Sequence, residues 1–314
     1  MAQVSLSAST SFDNDPNRLV EAEGTIVTLS LNLDSSPPAF GTAVTIASPN
    51  LSEFDIAQIQ AVGGELTLGE AVEAQLQAVL ASKLTAAVPG GAIATTSPLG
   101  SWSGAAGLAD IEADTPLQPD DRFEIGSITK TFTATTLLKL VEAGTLSLDD
   151  TLTDWLPESV TANVANASEI TLQQLLNHTS GVPEYDFIVL EQGMTNPFVF
   201  LRDWQPSEII ELIGDSEPVF APGTGWQYAN TNFILAGMII EAATGNDLAS
   251  EIQSRIIDPL GLDNTFFSTT KDTIPSGYIS GYLDFDGNGT LDDVSIVNLS
   301  WSWAAGAMVS TTDD

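Results

Sequence analysis

The sequence predicts an α+β protein in which helices pack on an antiparallel sheet, with a helical subdomain and a small all-β segment at the N-terminus. Three observations predict it. Residues 1–64 are rich in Ser, Thr and Asp and carry strand-like alternation without helix signals. Residues 68–84 place an apolar residue at every fourth position and lead into a hairpin pattern. Residues 122–245 then read as a series of helices, several cut short by proline, before β-like sequence returns over 282–310.

In chain order, Val4-Ser5-Leu6-Ser7, the alternation Val27, Leu29, Leu31, Leu33, and Ala43-Val44-Thr45-Ile46 are strand candidates, with Ser35-Ser36-Pro37-Pro38 as a turn. This part resembles a portion of a Calx-β-like sandwich module; a generic β appendage is the competing reading. Gly63-Gly64 marks a boundary, giving an appendage over 1–64 and a second domain over 65–314. Leu68, Val72, Leu76, Leu80 and Leu84 form one apolar face of a helix that Pro89-Gly90-Gly91 stops. Residues 92–96 and 102–107 flank Pro98-Leu99-Gly100 as a hairpin. A helix after Ser127 presents Ile128, Phe132, Leu137, Leu138 and Val141 as its buried side, with Gly144 as its C-terminal stop. Pro157, Pro183, Pro197, Pro206 and Pro218 break residues 146–224 into short helices, and Phe233 to Ala243 forms an apolar helix closed by Gly245.

The chain has 314 residues, 42 acidic and 8 basic side chains, and a net charge of −34. Nucleic acid and anionic membranes are poor partners for such a surface, because lysines and arginines must neutralise phosphate. Secretion, a high-salt setting and calcium binding all suit it. Cysteine is absent, which excludes disulfides, zinc-thiolate sites and cysteine nucleophiles. Residues 1–20 hold no signal peptide, and no run reaches the roughly 18 apolar residues of a membrane span.

Ser127 and Lys130 stand three apart where a helix begins, so hydroxyl and amine share a face. An amine beside a serine can help remove its proton and make a nucleophile. At a helix N-terminus, backbone N–H groups also favour developing negative charge. An N-cap serine beside a solvated lysine satisfies the same spacing. The chain carries a second copy, Ser268-Thr269-Thr270-Lys271, which Asp272 and Pro275 mark as a surface loop. About 100 residues after the first copy, Tyr228-Ala229-Asn230 precedes the apolar helix; in an extended segment Tyr228 and Asn230 point the same way. A phenol near an ammonium group can shuttle a proton, and an Asn amide can bond a substrate carbonyl and a lysine. A structural tyrosine and a helix-capping Asn230 are the alternatives. The one histidine, His178 in Asn177-His178-Thr179-Ser180-Gly181, reads as structural, since no Gly-x-Ser-x-Gly elbow accompanies it.

Together these pieces resemble the serine β-lactamase-related family: class C β-lactamases, D-alanyl-D-alanine carboxypeptidases and their esterase relatives. The matching residues are Phe123 to Lys130, Leu175 to Gly181, Pro222-Gly223 with Tyr228-Ala229-Asn230, and Ala304-Ala305-Gly306 with Val309-Ser310-Thr311. The resemblance covers about residues 67–314 and implies a β-lactamase/transpeptidase-like fold and an acyl-enzyme mechanism. It implies that Ser127 attacks an amide, lactam or ester carbonyl. Lys130 and Tyr228 relay its proton, Asn230 orients the substrate, and the Ser127 N–H gives half of an oxyanion hole. The family's third motif, Lys-Thr-Gly or His-x-Gly, does not occur after Tyr228. The expectation is therefore a C-terminally incomplete catalytic domain with poor stability by itself.

Asp284, Asp286, Asn288 and Thr290, with Gly289 at the sixth position, match a calcium-loop pattern, while Ser295 stands where the bidentate Glu belongs. An exposed Asp/Gly/Asn hairpin turn is the plainer reading. The expected protein is a serine hydrolase of extracellular or periplasmic location, acting on a small-molecule or peptide substrate. It requires no cofactor, a structural calcium at the 284–290 loop is a candidate, and its oligomeric state is open. A non-catalytic, calcium-associated binding protein on the same fold is the alternative, and a His178-dependent triad esterase a third.

Overall fold

A computed structural model of the chain describes residues 4–7, 30–33, 46–47, 61–62, 65–66, 70–97, 100–268, 277–284 and 287–314. Two units organise it. The first comprises Met1–Asp121 with Gly277–Ser280 and Thr311–Asp313; the second comprises Arg122–Ser276, Gly281–Ser310 and Asp314. The expected boundary at Gly63-Gly64 lies outside the described residues, as do Ser35–Pro38 and most of the Calx-β-like stretch.

In the first unit, β1 (Val4–Ser7) pairs antiparallel with β2 (Ser30–Leu33) and parallel with β3 (Ile46–Ala47). β4 (Ala61–Val62) pairs with β5 (Glu65–Leu66). The four-residue periodicity becomes α1 (Glu70–Ser82), in which Val72 and Leu80 are buried. Its Gln77 amide donates to Ala105 O at 2.7 Å. Ala105 lies in the hairpin of β6 (Gly90–Ser97) and β7 (Gly100–Asp110), which β8 (Thr115–Pro116) extends.

The second unit opens with β9 (Phe123–Glu124) and a 3₁₀ turn, Gly126–Ile128, leading into α2 (Thr129–Glu142). Short helices follow: α3 (Leu152–Trp155), α4 (Glu158–Thr161), α5 (Leu172–Leu176), α6 (Asp186–Thr195) and α7 (Pro206–Glu211). α8 (Thr231–Thr244) is the centre of the unit: Phe233, Ile234, Leu235, Ala236, Ile239 and Ile240 are all buried. A helix apolar on every side has to be surrounded, and α2, α5 and α7 pack on it. Gly245, in the left-handed region at φ 74°, ends it. α9 (Leu248–Ile252), a π turn and α10 (Asp258–Leu260) precede β10 (Phe266–Phe267).

Residues 282–310 are less β-like than their sequence predicts. β11 (Tyr282–Leu283) and β12 (Asp292–Asp293) form a hairpin, but a 3₁₀ turn and α11 (Trp303–Gly306) intervene before β13 (Met308–Ser310). β13 then sits between β10 and β9, antiparallel to both. α11 forms because Ala304-Ala305-Gly306 is small enough to lie against α8. A Cβ on Gly237 of α8 would stand 2.6 Å from the Ala304 Cβ, so only glycine permits that approach.

The buried face of α2 also differs from expectation. Leu138 is 46% exposed, and the face turned inward is Thr129, Lys130, Thr133, Thr136, Leu137 and Leu140. The apolar pattern misleads here because two of the three buried hydroxyls, those of Thr129 and Thr133, have partners, while that of Thr136 has none among the described residues. Thr133 donates to Ala304 O at 2.8 Å, and Thr129 Oγ1 accepts the Met308 N–H at 3.1 Å. Paired hydroxyls tolerate burial, and they bind α2 to α11 and β13.

Candidate active site

Gly126 adopts φ 49°, which a side chain disfavours, and turns the chain from β9 into the 3₁₀ turn that carries Ser127. Lys130 follows one helical turn later and is 6% exposed, so its ammonium must be paired. Lys130 Nζ donates to Ser127 Oγ at 2.9 Å and to Ala305 O at 2.8 Å. Tyr228 OH lies 2.8 Å from the same Ser127 Oγ. Lys130 Nζ is 4.9 Å from the centroid of the Tyr228 ring and 5.7 Å from that of Phe233. Serine, amine and phenol thus meet on one oxygen.

Tyr228 is held from behind. Its ring lies 4.5 Å from that of His178, at 31° between planes. His178 Nδ1 accepts the Ala229 N–H at 3.2 Å and lies 3.1 Å from the Asn232 amide nitrogen. Asn232 in turn accepts from Ser180 Oγ at 2.6 Å. The loop carrying His178 also pairs by backbone with the loop carrying Tyr228, through Gln227 N–H to His178 O at 3.1 Å and Gly223 N–H to Thr179 O at 2.8 Å. Burial and, next, the charge of Lys130 lower the His178 pKa to about 4. The imidazole is neutral at physiological pH, and its recorded hydrogen bonds serve Ala229 and Asn232. The structural reading of His178 therefore fits its geometry better than the triad reading.

Asn230 departs from the extended geometry assumed for it. It already has helical angles, φ −62° and ψ −29°, at the start of α8, and makes no side-chain cap. The chain turns into the helix, so Tyr228 and Asn230 go to different neighbours. The Asn230 N–H donates to Glu184 Oε2 at 2.5 Å, and its side-chain amide donates to Asp186 Oδ2. Glu184 Oε1 takes the Tyr185 N–H at 2.9 Å. Burial raises the Glu184 pKa; burial and then the Glu184 charge raise that of Asp186 to about 7. Between them Tyr185, fully buried, donates its phenol proton to Trp301 O at 2.6 Å. Burial pushes that phenol well above its ordinary pKa.

Sequence reasoning brought Ser127, Lys130, Tyr228 and Asn230 together and missed Glu184 and Asp186. In a chain with 42 acidic residues nothing marks these two. The one available signal is their place directly after Gly181-Val182-Pro183. Of the second Ser-x-x-Lys copy, Ser268 is buried and donates its N–H to Ala307 O at 3.0 Å, while Lys271 lies outside the described residues. Of the calcium-loop pattern, Asp284 accepts the Gly289 N–H at 3.0 Å and Asn288 the Thr290 N–H at 2.7 Å. Asp286 lies outside the described residues. Among the described residues no three His, Cys, Asp or Glu side chains gather as a metal site.

A family model described as Beta-lactamase matches residues 70–314. Esterase EstB of Burkholderia gladioli is 35% identical over 178 residues, which is 53% of this chain and 44% of that protein. A penicillin-binding protein of Bacillus subtilis is 32% identical over 167 residues, 51% of this chain and 33% of its own length. The chain thus spans less than half the length of these curated relatives. Among solved structures, a D-stereospecific amidohydrolase from Streptomyces sp. superposes with a TM-score of 0.67 at 37% identity, covering 76% of this chain and 70% of that one.

Proposed function

The chain belongs to the β-lactamase family, whose model spans residues 70–314, and from that premise we propose that it is a serine hydrolase forming an acyl-enzyme through Ser127. One observation carries the reading: Ser127 Oγ lies 2.9 Å from Lys130 Nζ and 2.8 Å from Tyr228 OH. Lys130 donates to the serine oxygen, so the serine proton is directed at the phenol oxygen. Attack of Oγ on a carbonyl carbon forms the new C–O bond as that proton leaves through the Lys130–Tyr228 pair. The Ser127 N–H receives the charge developing on the carbonyl oxygen. Collapse of the tetrahedral species expels an amine or alcohol, which takes the proton back. Water then repeats the sequence on the acyl-enzyme and releases the acid.

The substrate is an amide, lactam or ester. The names of the similar proteins span these: an esterase, a penicillin-binding protein and a D-stereospecific amidohydrolase. Asn230 is the substrate-orienting residue of this reading.

The test is covalent labelling with a fluorophosphonate and with a fluorescent penicillin. The expected result is a single label that Ser127→Ala abolishes and Lys130→Ala slows. Label surviving in Ser127→Ala would remove Ser127 as nucleophile. Label lost in His178→Ala but kept in Lys130→Ala would replace this reading with a triad.

A further inference from the structure

A helix as short as α11 (Trp303–Gly306) leaves nearly all its carbonyls without partners inside the helix, and α2 takes up two of them. Ala304 O accepts from Thr133 Oγ1 at 2.8 Å, and Ala305 O accepts from Lys130 Nζ at 2.8 Å. The same ammonium donates to Ser127 Oγ at 2.9 Å. The place of Lys130 beside the serine therefore depends on where α11 lies, and α11 meets α8 at Gly237. We propose that Gly237 is a positioning residue: its missing side chain lets α11 come close enough for Ala305 O to hold Lys130 at Ser127.

The approach at Gly237 leaves no room for a methyl group. A Cβ there would stand 2.6 Å from the Ala304 Cβ and 2.8 Å from the Trp303 ring. Carbon atoms settle at roughly 3.5–4.0 Å, so one side has to retreat by roughly 1 Å. The Trp303 ring can turn aside, but the Ala304 Cβ moves only with its backbone. α8 is the side that stays, because Ile234, Leu235, Ala236, Ile239 and Ile240 are fully buried around it. α11 is the side that yields. Its first residue, Trp303, already stands at φ 29°, a left-handed angle that a non-glycine residue keeps only under constraint from its surroundings.

Lys130 does not follow that retreat. It belongs to α2, which packs on α8 by its own contacts. Its Nζ lies 5.7 Å from the Phe233 ring centroid and 4.9 Å from that of Tyr228. Phe233 and Gly237 are four apart, so one face of α8 meets both the ammonium and the helix that holds it. A side chain at Gly237 thus draws Ala305 O away from an ammonium that stays on α8. A bond of 2.8 Å does not survive a retreat of that size. The buried ammonium loses one acceptor and changes its angle on Ser127 Oγ. Misplacing a reacting group by about 1 Å costs on the order of 10²-fold in rate.

The rate half of this proposal rests on the reading of Ser127 as an acyl-transfer nucleophile; the displacement half does not. The sequence holds four lysines, so in the full chain labelled with ¹³C-lysine the Lys130 side-chain signal is assigned by its loss in Lys130→Met. That signal is expected to move in Gly237→Ala. It should return toward its parental position when Ala304→Gly is added, which gives back the space. In fluorophosphonate labelling, Gly237→Ala should lower the maximal rate by roughly 10²-fold and leave the reagent concentration for half-maximal rate unchanged. The double variant should recover most of that rate. Loss of core packing alone lowers the unfolding midpoint and the fraction of protein that labels, not the rate of the folded molecules. Ile210→Val, in the buried face of α7, is the control for this: a lower unfolding midpoint with the parental labelling rate. A parental rate or an unmoved Lys130 signal in Gly237→Ala overturns the proposal, as does a double variant no faster than the single one. If Gly237→Ala does not fold, Thr133→Val decides. It keeps the side-chain volume and releases Ala304 O, so labelling should slow about tenfold, the worth of one hydrogen bond; a parental rate there is equally contrary. Absence of label in the parent would instead strike the reading of Ser127, and the lysine signal would still test the displacement by itself.

Discussion

Two walls meet at the segment 228–230, and they are built on opposite electrostatics. On one side Tyr228 faces Ser127 and the Lys130 ammonium, backed by an imidazole that burial keeps neutral. On the other, Asn230 faces two carboxyl groups whose pKa burial raises, that of Asp186 to about 7. The backbone changes from loop to helix between the two residues, which sends neighbouring side chains to unlike surroundings. The cationic wall holds Ser127 Oγ, the nucleophile of the proposed reaction. The anionic wall holds the Asn230 main chain through Glu184 and its side-chain amide through Asp186. In the proposed reaction the contrast separates the making of a nucleophile from the holding of a substrate, and each wall can be disturbed without the other.

The largest expected effect tests that separation. Tyr228→Phe removes the phenol from Ser127 and should slow acylation by roughly 10²–10⁴-fold, the range of a lost proton-transfer group. Asn230→Ala should act mainly through KM for amide substrates and leave fluorophosphonate labelling of Ser127 in place. Equal losses of labelling in both variants would break the comparison.

A second effect concerns the acid wall. Asp186 has a folded pKa near 7 against a usual 3.8, so between these values the folded state binds more protons than the unfolded one. Its contribution is fully present below 3.8 and is lost as pH rises through 7, by up to about 4 kcal/mol. Asp186→Asn removes that slope and should gain most in stability at pH 8. Urea unfolding at pH 5 and pH 8 checks it; an unchanged difference between the two in the variant would contradict the shift.

The smallest effect is the reverse one on the other wall. His178 is depressed from 6.5 to about 4, so its contribution is present above 6.5 and is lost as pH falls toward 4. The residue is only half-buried, and solvent screening reduces the effect to about 2 kcal/mol. His178→Gln loses ring packing at every pH but should flatten the acid side of the stability curve. A slope identical to the parent's between pH 4 and pH 6.5 would show that His178 does not contribute to it.

Much of this was legible in the chain. Spacing by four gave α1, the unbroken apolar run gave α8, and Gly144 and Gly245 gave helix ends, because these are local properties of backbone and periodicity. Ser127 and Lys130 were legible because three residues on a helix share a face, and Tyr228 because of its fixed place before α8. The buried face of α2 was not. Thr129 and Thr133 look like surface residues until the Met308 N–H and Ala304 O are seen opposite them, some 170 to 180 residues away. α11 was read as strand because the closeness of Gly237 to Ala304 is a tertiary fact.

The sequence by itself determined most of the helices, the Ser127–Lys130 spacing and the family, since each depends on residue type and short spacing. Only the tertiary structure decided which groups face one another across the site. It put Tyr228 on Ser127, stacked His178 beneath the phenol, and set Glu184 and Asp186 against Asn230. The physical reason is that a carboxylate's pKa, a hydroxyl's partner and an amide's orientation are set by burial and by neighbours brought close through folding, and one acidic residue among 42 carries no mark of which neighbours it will have.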